Sequence, residues 1–127
     1  MARARIPAET GDPAVLASLG AAAARDTRAT AVRYTLQLLA ERAEGNTVEV
    51  RVPPFGAVQC IPGPRHTRGT PPNVIETDAA TWLELVSGRL SWADAVTAHR
   101  VSASGSRADL TGFIPLPEIA RLERTLR

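Results

Sequence analysis

The chain has 127 residues, 44% of them hydrophobic, and a formal net charge of +2. That length suits one domain with a real core, and no apolar run reaches the ~18 residues needed to span a bilayer. Aromatic residues are only 4%, and the 15 basic side chains, all arginine, are interleaved with 13 acids, which argues against a nucleic-acid surface of clustered cations and stacking rings.

The single cysteine, Cys60, cannot form an internal disulfide. The first ten residues hold Arg3 and Arg5 but no apolar stretch of the kind a secretory signal needs. A cytoplasmic protein without a transmembrane segment is the expectation. Many alanines and arginines without lysine read as a GC-rich coding background.

Residues 1–11 read as a flexible N-terminal arm, and residues 12–127 as a single domain. Asp12-Pro13 marks a helix start, because proline at the first helical position lacks only an N–H that the helix does not use. That alanine-rich helix carries Val15, Leu16 and Leu19. Thr27 can cap a second helix over residues 28–43, in which Val32, Leu36, Leu39 and Ala43 share one face. Arg28, Arg33, Gln37, Glu41 and Arg42 fall mostly elsewhere. Residues 47–52 alternate, with Val48, Val50 and Val52 on one face and Thr47, Glu49 and Arg51 on the other, the mark of a half-buried strand. Residues 53–56 turn the chain, and residues 57–61 pair back, with Cys60 as a buried, inert thiol. Residues 62–72 form a loop with room for another strand.

The next stretch is the most regular. Asn73–Thr77 is extended through Val74 and Ile75. Thr77 or Asp78 caps a helix whose apolar surface is Trp82, Leu83, Leu85 and Val86. Gly88 ends it in the left-handed conformation, which glycine enters without a Cβ penalty. Ser91 caps a following short helix with Asp94 at its third position, and residues 100–104 return as a strand. Residues 107–114 can form a short helix with Leu110, Phe113 and Ile114 inward. Pro117 starts a last helix with Ile119 and Leu122 as its contact face. The class is α+β: a mostly antiparallel sheet of four to five strands with helices packed on one face.

Catalysis is hard to assemble from these residues. His66 lies in a Gly/Pro loop, and His99 ends a helix, where a cation meets the helix dipole favourably. One cysteine and two separated histidines give no metal-ligand spacing, and phosphate-binding glycine loops are absent. Asp78 and Asp94 sit where caps belong. The reading is therefore a non-enzyme with no catalytic residue, metal or cofactor. Trp82 and Trp92 serve either as core anchors or as walls of an apolar pocket.

The order of Ile75-Glu76-Thr77-Asp78, Trp82 through Leu90, Ala93-Asp94-Ala95 and Val101 through Gly105 resembles the C-terminal half of the sterol carrier protein 2 domain family, in a small bacterial form. The family's frequent Gly-Asp is Gly105-Ser106 here, and His99-Arg100 stands where a glycine often precedes the last strand. The resemblance implies a lipid-binding or lipid-carrier domain that holds a fatty acyl, sterol-like or acyl-CoA ligand between sheet and helices. The implied lining is Leu36, Leu39, Val48, Val50, Phe55, Val74, Trp82, Leu85, Val86 and Phe113, which are also the residues a solid core needs. Arg65, His66 and Arg68 are the head-group candidates. The alternative is a non-catalytic interaction module on the same scaffold with a filled core and a protein partner. Neither reading involves nucleic acid.

Overall fold

The computed structural model describes residues 4–20, 22–63 and 72–126. Helices α1 (Ala8–Gly20) and α2 (Arg25–Arg42) precede the strands β1 (Val48–Val52), β2 (Gly56–Cys60) and β3 (Asn73–Thr77). Helices α3 (Ala79–Ser87) and α4 (Trp92–Thr97), strand β4 (Val101–Ser104) and helix α5 (Pro117–Arg124) complete the chain. Among the described residues the sheet has four strands in the order β2-β1-β3-β4. Its outer pairings, β1 with β2 and β3 with β4, are antiparallel, while β1 and β3 run parallel. The fold is α+β, as the pattern of elements predicts. The segment with room for a fifth strand lies largely outside the described residues.

Alternation decides which sheet face the helices cover. Val48, Val50 and Val52 are fully buried. In register with them stand Cys60 and Val58 on β2 and Ile75 on β3. Glu49, Arg51, Val74 and Glu76 occupy the opposite face, because side chains one residue apart on a strand point to opposite sides. Helix α2 packs against β2, α1 and α3, and α5 closes the far side against α3 and α1. Full burial of each valine, leucine or isoleucine contributes about 1.5–3 kcal/mol relative to exposure, so Leu36, Leu39, Ile75, Leu110, Leu116 and Ile119, all at 0–1% exposure, form the cohesive centre.

The caps follow the local chemistry. Asp78 accepts a hydrogen bond from the Thr81 N–H at 2.8 Å, and Ser91 accepts one from the Asp94 N–H at 3.1 Å. Gly88 closes α3 at φ +89°. Four assignments differ from the sequence reading. Helix α2 begins at Arg25, with Ala24 at the cap position and no side-chain cap, so Thr27 lies inside its first turn instead of capping it. Helix α1 begins at Ala8 instead of Asp12, because the Asp12 carboxylate is taken by the Tyr34 hydroxyl at 2.8 Å. Gly11 there lies so close to Tyr34 that a Cβ would come within 2.4 Å of the ring. The expected arm is thus helical from Ala8, and Arg5 and Ile6 are bonded to α2. Strand β2 stops at Cys60, since Ile61 turns to φ +72°, a conformation foreign to a β-branched residue in a ladder. Residues 107–114 form turns instead of a helix. The Thr111 N–H bonds the Asp109 carboxylate, and Gly112 takes φ +86°.

Candidate functional site

A cleft of about 440 Å³ lies between α2, the β1–β2 turn and the segment before α1. Helix α2 supplies Thr30, Arg33, Leu36 and Gln37, which fall on one side of the helix at spacings of three, three and one residues. The hairpin supplies Phe55, Gly56, Ala57 and Val58, and the N-terminal segment closes the third side with Ala4 and Ile6. The volume falls within the range of about 300–1,000 Å³ common to small-molecule sites.

Each wall is held in place. The Arg33 Nε–H donates to the Phe55 carbonyl at 2.8 Å, fixing the turn against the helix. The Arg25 guanidinium lies 5.4 Å from the centre of the Phe55 ring, a cation–π distance. Ile6 is gripped through its backbone. Its N–H donates to Gln37 Oε1 at 2.8 Å, and its carbonyl accepts from Gln37 Nε2 at 2.8 Å. One turn further along α2, the Glu41 carboxylate takes both Arg5 Nε and Arg5 Nη2, at 2.6 and 2.8 Å. This pairing draws the Glu41 carboxyl below its ordinary pKa. Ile6, Leu36, Phe55 and Val58 give the cleft apolar walls, and Arg33 gives it a cation. Among the described residues no acid lines it.

Of the ten expected lining residues, only Leu36 and Phe55 reach this cleft. Leu39, Val48, Val50, Trp82, Leu85 and Val86 are buried to within 1% of complete enclosure. Trp82 is anchored as well as enclosed: its Nε1–H donates to Thr35 Oγ1 at 2.8 Å, while the Thr35 hydroxyl donates back to the Ala31 carbonyl. Val74 stands on the face opposite the helices, paired with Glu49, and Ile75 takes the inward place. Phe113 is half-buried against the core. Arg65, His66 and Arg68 lie outside the described residues. Arg33 and Gln37 read in the sequence only as helix positions off the apolar face. Nothing local distinguishes them, because their partners are distant: Arg33 bonds the Phe55 carbonyl, 22 positions later, and Gln37 bonds Ile6, 31 positions earlier.

Elsewhere the polar groups serve the scaffold. Cys60 is fully enclosed, and burial pushes its thiol up to about 11, which leaves it protonated and unreactive near neutral pH. Arg89 donates to Glu123 Oε1 at 2.8 Å and to the Leu19 carbonyl at 2.9 Å, tying the end of α3 to α1 and α5. Arg100 bonds the Glu84 carboxylate and the Thr81 hydroxyl. Among the described residues, no group of three or more His, Cys, Asp or Glu is placed to hold a metal ion. No helix among them is long and apolar enough to cross a membrane.

A mixed sheet with helices on one face and an amphipathic cleft beside the helix layer has the architecture of a sterol-carrier-like α+β domain. The family model described as "Bacterial SCP ortholog" matches residues 24–116, well over half of the chain, and the chain belongs to that family. No curated protein matches it. Membership suggests a lipid-carrier domain in general terms, of a kind that is generally non-enzymatic.

Proposed function

We propose that this domain carries one amphiphile at a time in the cleft between α2 and the β1–β2 turn. The observation that supports this reading is the lining among the described residues: apolar walls from Ile6, Leu36, Phe55 and Val58, a cation at Arg33 and no acid. The hydrocarbon part of the ligand lies along the apolar walls, where each buried methylene contributes up to ~0.8 kcal/mol. Its head is a carboxylate or phosphate beside Arg33, whose planar fork suits oxyanions. The Nε–H of Arg33 is already committed to Phe55. The head is therefore met by the outer guanidinium nitrogens.

Gly56 gives the test. A Cβ placed on it would meet Leu36 Cδ1 at 3.4 Å, a tight but ordinary contact. Its φ lies outside the left-handed range, and valine suits a strand position. Gly56→Val therefore fills the cleft without requiring a new backbone. Native mass spectrometry with a mixed lipid extract, backed by displacement of a fluorescent fatty acid, should show a one-to-one complex for the wild type. Gly56→Val should lose it while keeping its thermal midpoint within a few degrees. Absence of any stoichiometric complex with the wild type defeats the carrier reading.

A second reading has its own observation. Six of the residues expected to line a tunnel are close-packed core. That favours a filled-core interaction module acting through its surface, and a wild-type protein that takes up no lipid would leave this account standing.

A further inference from the structure

The cleft has one wall that belongs to no helix or strand. Residues 4–7 run without regular structure before α1, and Ala4 and Ile6 face the cavity. A lone extended segment on a helix offers its backbone N–H and C=O to no strand, so each needs another partner. Gln37 supplies both for Ile6 from a single carboxamide, two bonds of 2.8 Å. Gln37 also lines the cleft itself. The second fastening, Arg5 to Glu41, is half-exposed on both sides and is screened as surface pairs are. The segment lies outside the matched residues 24–116, whereas Gln37 lies within them.

Resting on the carrier reading above, we infer that Gln37 is a specificity-determining latch. It holds the segment 4–6 as a strap across the cleft, so the site admits a single flexible chain and excludes a fused-ring or two-chain lipid. A single chain lies between strap, helix and hairpin with the latch closed. A rigid ring system needs the strap moved outward, which breaks both bonds to Ile6 and leaves its backbone groups to find water. That cost falls on the bulky ligand alone. It makes the latch a discriminator instead of a general contributor to affinity.

The test compares a fluorescent single-chain fatty acid with a fluorescent sterol on the wild type and Gln37→Ala. Hydrogen exchange at the Ile6 amide is followed in both and in Gln37→Glu. In Gln37→Ala, Ile6 protection should disappear, and the preference for the fatty acid over the sterol should fall roughly thirtyfold, about what two net hydrogen bonds are worth. Gln37→Glu still accepts from the Ile6 N–H but cannot donate to its carbonyl when ionised, so its Ile6 protection should lie between that of the wild type and Gln37→Ala; its lipid preference is not compared, because the added carboxylate repels the fatty-acid head directly. Lost protection with an unchanged preference overturns the latch and leaves the carrier reading intact. Equal preference for both probes in the wild type also overturns it. Uptake of neither probe by the wild type removes the carrier reading, and the latch's role in selection goes with it.

Discussion

Trp82 separates a wall from a core most directly. It is fully enclosed, on the inner side of α3, and its indole N–H meets the Thr35 hydroxyl at 2.8 Å. Truncation to alanine would cost about 3–5 kcal/mol, a large share of the ~5–15 kcal/mol that holds a domain together. Trp82→Phe is the better probe. It keeps an aromatic ring in the same rotamer space but loses the donor and part of the ring. The hydrogen bond is worth about 1 kcal/mol net, and the unfilled volume adds a similar amount. Thr35 is not orphaned, because its hydroxyl still donates to the Ala31 carbonyl at 2.8 Å. The expected loss is therefore about 2 kcal/mol, which lowers a urea midpoint by about 1 M for a typical slope. The reciprocal change, Thr35→Val, strands the indole N–H in an apolar site and should cost about 1–3 kcal/mol. The double variant should then cost less than the sum of the two. Urea unfolding followed by far-UV circular dichroism measures all three. If Trp82→Phe leaves the midpoint unchanged but alters uptake of a fluorescent fatty acid, the indole faces a ligand space and the assignment to the core is wrong.

Gly88→Ala should destabilise by about 1 kcal/mol through backbone strain alone. The glycine sits at φ +89°, and an added Cβ would meet only Pro115 at an ordinary 3.5 Å. Gly88→Asn should cost less, since asparagine tolerates that region, and equal unfolding midpoints for all three proteins would refute the strain. Tyr34 predicts an alkaline loss of stability. Burial and the bond to Asp12 push its phenol up to about 12 from 10. A folded-state pKa raised above the unfolded one gives stabilisation that is fully present below pH 10 and is lost as pH rises through 12. The size is about 1–2 kcal/mol, less than the full shift implies because the bond between the phenol and Asp12 is only part-buried and is screened by solvent. Tyr34→Phe should flatten that part of the stability–pH curve, and an unchanged slope between pH 10 and 12 would assign it to other groups.

What could be read in the sequence followed the range of the forces involved. The α3–α4 stretch was legible residue by residue, because a cap, an apolar stripe and a left-handed glycine are all set within one helical turn. The alternation of β1 placed Val48, Val50 and Val52 correctly for the same reason. Errors gathered where a distant partner takes over a local signal. Asp12 reads as a cap until Tyr34 claims it. The turn at 107–114 reads as a helix until the Asn73 side chain accepts the Arg107 N–H at 2.9 Å and Asp109 bonds Thr111. The candidate site is the extreme case. Its apolar part includes Leu36 and Phe55, which any hydrophobic pattern flags, but its discriminating part is polar. Arg33 and Gln37 look like helix positions off the apolar face until the hairpin meets the first and a segment from the start of the chain meets the second. A lining and a core draw on the same apolar residues. What distinguishes this cleft is polar side chains whose hydrogen bonds go to backbone brought in from elsewhere: Arg33 to the Phe55 carbonyl and Gln37 to both sides of Ile6. A buried backbone group must be satisfied by something. Here the two side chains that satisfy it also line the cavity, so the contacts that hold the cleft's walls in place are the ones a ligand would have to respect or displace.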